Sequence, residues 1–206
     1  MKSMVAKSSP RWEIRSLKTK NIIHQLLLNR HIPSKDWKKF LNPDFEKDLH
    51  NPLLLPDMVK ARDRFLQVLE KKEKVAVFGD FDADGIPATV LFYNFCQYFH
   101  LDCLVYIPSR EEGYGLNPQA IEEIKNKGVK LLVTVDCGIK NHQEIWLAQK
   151  QGIDVIVLDH HEPRKNLPKG LAIIDAKIHG CKYPFSELCA TGVVFKLIQA
   201  IAKKIK

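Results

Sequence analysis

Short apolar runs at residues 75–79, 103–107, 131–135, 154–158 and 171–174 recur along most of this chain, and segments of helical spacing lie between them. Runs this short, rich in Val, Ile and Leu and bounded by turn residues, read as strands buried on both faces. The helical segments are 86–100, 117–127, 141–150 and 186–205, the second opened by Asn117 with Pro118 at its first position. Apolar strands separated by helices require βαβ crossovers, hence a parallel sheet. The expected fold is therefore α/β, a parallel sheet of about five strands with helices on both faces. A helix through Met58, Ala61, Phe65 and Leu69, with Asp57 as cap, leads into the first strand. Ahead of it, Trp12-Glu13-Ile14 anchors a loose arm, Ile22, Ile23, Leu26 and Leu27 repeat at helical spacing, and Ser34 caps a short helix through Leu41. Pro43, Pro52 and Pro56 break up the rest, so residues 1–56 form a small helical preface and 57–206 the main domain.

In a parallel sheet all C-terminal strand ends share one edge, where α/β proteins bind ligands. Asp80, Asp82 and Asp84 follow the first strand, Asp136 the third, and Asp159-His160-His161 and Asp175 the fourth and fifth. Three acids in one turn can simply face water; acids and histidines from separate strands at one edge instead imply a compensating cation. Oxygen ligands favour a hard ion, Mg²⁺ or Mn²⁺, and an imidazole tilts the choice to Mn²⁺. Asp82 and Asp84 can each hold an ion, Asp136 can bridge two, and His160 can complete a shell. Two ions about 3.5–4 Å apart suit in-line phosphoryl displacement. His161 is placed to donate to a phosphate or leaving group, and Asp159 to orient the imidazoles. Ser109, Arg110 and the Gly113-Tyr114-Gly115 loop, after the second strand, can offer a guanidinium, N–H groups and a ring to a nucleotide chain.

The chain has 32 Lys and Arg against 24 Asp and Glu, an excess compatible with a polyanionic partner. Lysines at 71, 72, 74, 203 and 204 sit at helix ends and need no such partner. Five cysteines without a CxxC pair suit reduced thiols in a cytoplasm. No apolar run reaches the length of a membrane span, and residues 1–11 lack the apolar core of a secretory signal.

The motifs GDFDADG, TVDCG and LDHHEP, in this order, resemble the DHH phosphoesterase superfamily and, more narrowly, the N-terminal half of its RecJ-type bacterial members. Further likeness lies in FLNPDFEKDLHNPLLLPDM, IPSREEGYGLN and GCKYPFSELCATGVVFKL. The resemblance implies a DHH-type domain and 5′→3′ hydrolysis of single-stranded DNA with two Mn²⁺ or Mg²⁺ ions, in repair and recombination. It implies Asp82, Asp84, Asp136 and His160 as metal ligands with Asp80 beside them, and His161 with Asp159 as the catalytic pair. Departures fall at Pro87, at Asp175-Ala176 and in the Arg110-to-Gly113 spacing. Such members continue into a further acidic motif and a second domain. The chain alone is therefore expected to be weak or inactive, a separately encoded C-terminal half is an expected partner, and an apolar patch is expected near Val193, Val194, Phe195, Leu197 and Ile198. The alternatives are a DHH phosphoesterase acting on short oligonucleotides, cyclic dinucleotides or pyrophosphate, a haloacid-dehalogenase-like phosphatase with Asp82 as nucleophile, and a non-catalytic binding module.

Overall fold

A computed structural model describes residues 13–205, which cluster into two units, one ending at Leu49 and the other beginning at His50. In the first unit, α1 (Ile22–Asn29) is capped by the Asn21 side chain, which accepts from His24 N, and α2 spans Trp37–Leu41. Gln25 and Leu27 are buried there, while Ile22, Ile23 and Leu26 are exposed. Ser34 opens a 3₁₀ turn and does not cap α2 with its side chain. Of the expected anchor, Ile14 is exposed and Trp12 lies outside the described residues.

The second unit contains α3 (Met58–Lys71), β1 (Val75–Gly79), α4 (Gly85–Tyr98), β2 (Cys103–Tyr106), α5 (Pro118–Asn126), β3 (Leu131–Val135), α6 (His142–Lys150), β4 (Asp154–Leu158), β5 (Ala172–Ile174) and α7 (Ala190–Ile205). The sheet is wholly parallel with order β2-β1-β3-β4-β5. Every residue of β1 and β3 is buried, the pattern their unbroken apolar runs foretell. One core joins α3, α4 and α7 to the sheet; Phe65, Phe92, Val133 and Leu197 belong to it. The other, with Ile121, Ile124, Ile145 and Val155, lies under α5 and α6.

The chain leaves β1 for β2 on one side and then crosses back to place β3 on the other. The strand order therefore reverses between β1 and β3, and the crevice that opens there is the ligand site of doubly wound sheets.

Two expectations need correction. Val193, Val194 and Leu197 are completely buried, because α7 packs against α3, α4 and the sheet; Phe195 and Ile198 are partly covered. No patch of those five forms. Asp57 sits before α3 in a left-handed conformation and makes no side-chain cap there. Its carboxylate instead accepts from Ile173 N (3.2 Å) and pairs with Lys60 (2.7 Å).

Candidate metal centre

Beyond β1 the chain turns tightly. Asp82 Oδ1 accepts the N–H groups of Asp84 and Gly85, both at 2.8 Å, which starts α4. A Cβ on Gly85 would lie 2.5 Å from the Asp80 carbonyl oxygen, so only glycine allows this close return. Asp80 is buried, and its Oδ1 accepts from Phe81 N (2.8 Å).

Asp136, the residue after β3, has φ +62°, a left-handed conformation uncommon outside glycine. The Tyr114 hydroxyl donates to its carbonyl oxygen (2.9 Å). Its buried carboxyl lies 3.0 Å from His160 Nε2. Ligand atoms of Asp80, Asp82 and Asp136 all lie within 4.8 Å of one another, as do those of Asp136, His160 and His161. Asp136 thus belongs to both groups. Burial, the Asp82 charge and a hydrogen bond donated to Asp82 push the Asp136 carboxyl up to about 8. The N–H groups of Gly85 and Asp84 hold Asp82 low. The crowded acids therefore keep one proton on Asp136, a proton that a bound cation would displace. Carboxylate oxygens plus imidazole fit a hard divalent ion with Mn²⁺ character.

Asp159 is wholly buried and saturated. Its Oδ1 accepts from His160 N (2.7 Å), His161 N (3.2 Å) and His161 Nδ1 (2.7 Å), and its Oδ2 from Ile139 N (2.9 Å). Burial works to raise this carboxyl, but His161 and those N–H groups outweigh it and hold it below the usual range. In return Asp159 raises the imidazole of His161. With Nδ1 so engaged, Nε2 is the nitrogen left to meet a ligand.

Asp84 is placed differently. Its Oδ2 accepts from Ala190 N (2.6 Å), and its Oδ1 from Thr191 N (3.0 Å) and Thr191 Oγ1 (2.8 Å). It closes the N-terminus of α7, and these bonds outweigh burial to lower its carboxyl. Its nearest approach to the histidines is 3.6 Å, from Oδ2 to His160 Nε2, and it enters neither group of candidate ligands. Sequence reasoning did not find Ala190 and Thr191, although a helix N-terminus that draws in a carboxylate is a familiar pairing.

Arg110 and Tyr114 border the site. The Arg110 guanidinium lies 5.7 Å from the Phe81 ring centre, and the Tyr114 hydroxyl is 3.3 Å from His161 Nδ1. Ser109 is tied within its own loop, its N–H donating to Glu112 Oε1 (2.8 Å). Gly113 and Gly115 are both left-handed; Gly115 packs against the Asn141 side chain, and Gly113 meets open space. Asp175 is buried; its Oδ1 accepts from Lys177 N (2.7 Å), and its Oδ2 has no partner among the described residues. Burial pushes Asp175 up to about 6.

Comparison with known proteins fits this geometry. Over 207 residues the chain is 37% identical to the single-stranded-DNA-specific exonuclease RecJ of Bacillus subtilis, matching 94% of this chain and 26% of that protein. It thus spans about a quarter of the length of the curated relatives it matches. A crystal structure of exonuclease RecJ bound to manganese superposes with a TM-score of 0.67 at 32% identity, over 73% of this chain and 38% of the other. RecJ of Thermus thermophilus in complex with Mn²⁺ gives 0.69 at 26% identity, over 89% and 25%. The profile of the DHH family, N-terminal domain, matches residues 74–206. That stretch holds β1 to α7 and every aspartate and histidine of the site, and the chain belongs to the DHH family.

Proposed function

We propose that this chain carries the metal-holding part of a RecJ-like nuclease that hydrolyses phosphodiester bonds in single-stranded DNA with Mn²⁺ or Mg²⁺. The observation that carries the reading is Asp136, one carboxyl common to two groups of candidate ligands at the sheet's switch point. Asp80, Asp82, Asp136 and His160 would hold the ions; Asp84 sits next to them but is engaged with α7. Divalent ions there would make a bound water a nucleophile and offset charge on phosphoryl oxygens.

The chain's own residues set the rest. Asp136 would give up its proton to an incoming cation. Asp159 fixes the His161 ring with Nδ1 inward, so that Nε2 can donate a proton to a phosphate oxygen or a departing oxygen. Arg110, beside Phe81, adds a positive charge at the border of the site, and Tyr114 joins the loop of Arg110 to the backbone of Asp136. The five unpaired cysteines fit a reducing compartment, and we place the protein in the cytoplasm. No helix among the described residues is long and apolar enough to cross a membrane.

The test is hydrolysis of a 5′-labelled single strand, its duplex and a dinucleotide with Mn²⁺. Slow release of mononucleotide from the single strand is expected, absent for Asp136→Asn and in chelator. Adding a polypeptide that matches the rest of a relative is expected to raise it, as for a separately encoded partner. Preference for the dinucleotide would favour the other DHH phosphoesterase reading, and hydrolysis indifferent to Asp136 would overturn both.

A further inference from the structure

The site already described leaves one large feature of the second unit unused. Between α6 and residues 163–169 runs a groove of about 1110 Å³ with an apolar floor of Trp146, Leu147 and Leu167. Leu147 and Leu167 pack into the core below, whereas Trp146 is 55% exposed. With Leu147 and Leu167 it forms a contiguous apolar surface rather than a single scattered side chain, and contiguous apolar surface rimmed by polar residues marks binding grooves. Lys165 and Lys169 line the groove, and a smaller neighbouring cavity that shares Lys165 adds Lys140 and Arg164. None of these four cations has an ion pair among the described residues. Lys150 lies 5.5 Å from the Trp146 ring centre and adds to the charge. The acid in the groove, Glu144, accepts a hydrogen bond from Asn141 Nδ2 (3.3 Å).

In sequence, the basic residues of the groove adjoin segments that carry the metal centre. Lys140 follows Ile139, whose N–H donates to Asp159 Oδ2. Arg164 lies three residues after His161. A flat ring with unpaired cations along one open channel is the arrangement that binds single strands, bases on the ring and phosphates on the lysines. An acidic polypeptide would also use the cations, and competition by such a peptide that survives Trp146→Phe but not the lysine changes would point to it instead of a nucleic acid.

We propose that this groove, running along α6 past Trp146, is a second binding surface, for single-stranded nucleic acid. Its purpose rests on the nuclease reading; its existence does not.

The test measures binding of a fluorescent oligodeoxythymidylate of about 12 nucleotides in chelator, where nothing is cut. Trp146→Ala is expected to weaken binding roughly tenfold or more, and Trp146→Phe by only about threefold, because the ring's stacking is retained. Lys165→Gln with Lys169→Gln is expected to flatten the dependence of log affinity on log salt by about 1.4, for two lost phosphate contacts. Lys203→Gln with Lys204→Gln, at the end of α7, is expected to leave binding unchanged. Trp146 is exposed, so its variants keep the core, which a thermal melt checks. Unchanged binding by Trp146→Ala, no binding by the unmodified chain, or equal losses in the α7 control would each overturn the proposal. Tight groove-dependent binding, with no hydrolysis in Mn²⁺ even after a polypeptide matching the rest of a relative is added, would leave the groove standing and remove the nuclease reading instead.

Discussion

Filling the metal centre should expel a proton from Asp136. Asp136 is held at about 8 by burial and by Asp82, against an ordinary value of 3.8. At pH 7 it is therefore about 90% protonated without metal, and at pH 9 about 10%. A cation bound through its oxygens requires the ionised form, so Mn²⁺ binding should release about 0.9 proton at pH 7 and about 0.1 at pH 9. Apparent affinity should rise close to tenfold per pH unit between about pH 6 and 7, and level off above about 8. Titration calorimetry in buffers of different ionisation enthalpy counts the protons directly. The raised imidazole of His161 can add to the count, so His161→Gln should remove that part and keep the part owed to Asp136. The same shift acts on stability. The folded value lies above the unfolded one, so the metal-free protein loses stability as pH rises from about 4 to about 8, with a ceiling near 6 kcal/mol. Solvent relaxation makes the real loss smaller. A proton count near zero at pH 7, or one that does not change with pH, would refute the reasoning.

Three further outcomes follow from single contacts. Asp84→Ala removes three hydrogen bonds from the start of α7 and should destabilise the fold by about 2 kcal/mol in denaturant titration, metal or no metal. Asp175 has a folded value of about 6, so it destabilises the protein as pH rises through 4 to 6; Asp175→Asn should stabilise at pH 7 by up to about 3 kcal/mol, and much less at pH 4. Tyr114→Phe loses the bond to the Asp136 carbonyl, about 1 kcal/mol, and should lower turnover more than oligonucleotide affinity in paired kinetic and binding assays.

The sheet was legible because parallel strands buried on both faces are written as unbroken apolar runs, and β1 and β3 are such runs to the residue. The gathering of Asp80, Asp82, Asp136 and the His160–His161 pair followed from placing each at a strand's C-terminal end. What stayed hidden depends on partners far away in sequence. Asp84 looked like a ligand equal to Asp82, yet its hydrogen bonds lead 106 and 107 residues onward to α7. The apolar face of α7 looked unpartnered because nothing local reveals that α3 and α4 leave a slot for it. Asp57 read as a local cap and instead reaches β5, 116 residues away. Tyr114 was legible as a ring, and that ring meets His161 edge-on; hidden was the bond from its hydroxyl to the Asp136 carbonyl, 22 residues away.

Whether Asp136 joins two groups of ligands is decided by counting bound Mn²⁺ in equilibrium dialysis with electron paramagnetic resonance. Two ions per chain, spin-coupled through a shared carboxylate, are predicted, with both weakened together in Asp136→Asn. A single ion, or two uncoupled ions of which Asp136→Asn removes only one, would contradict it.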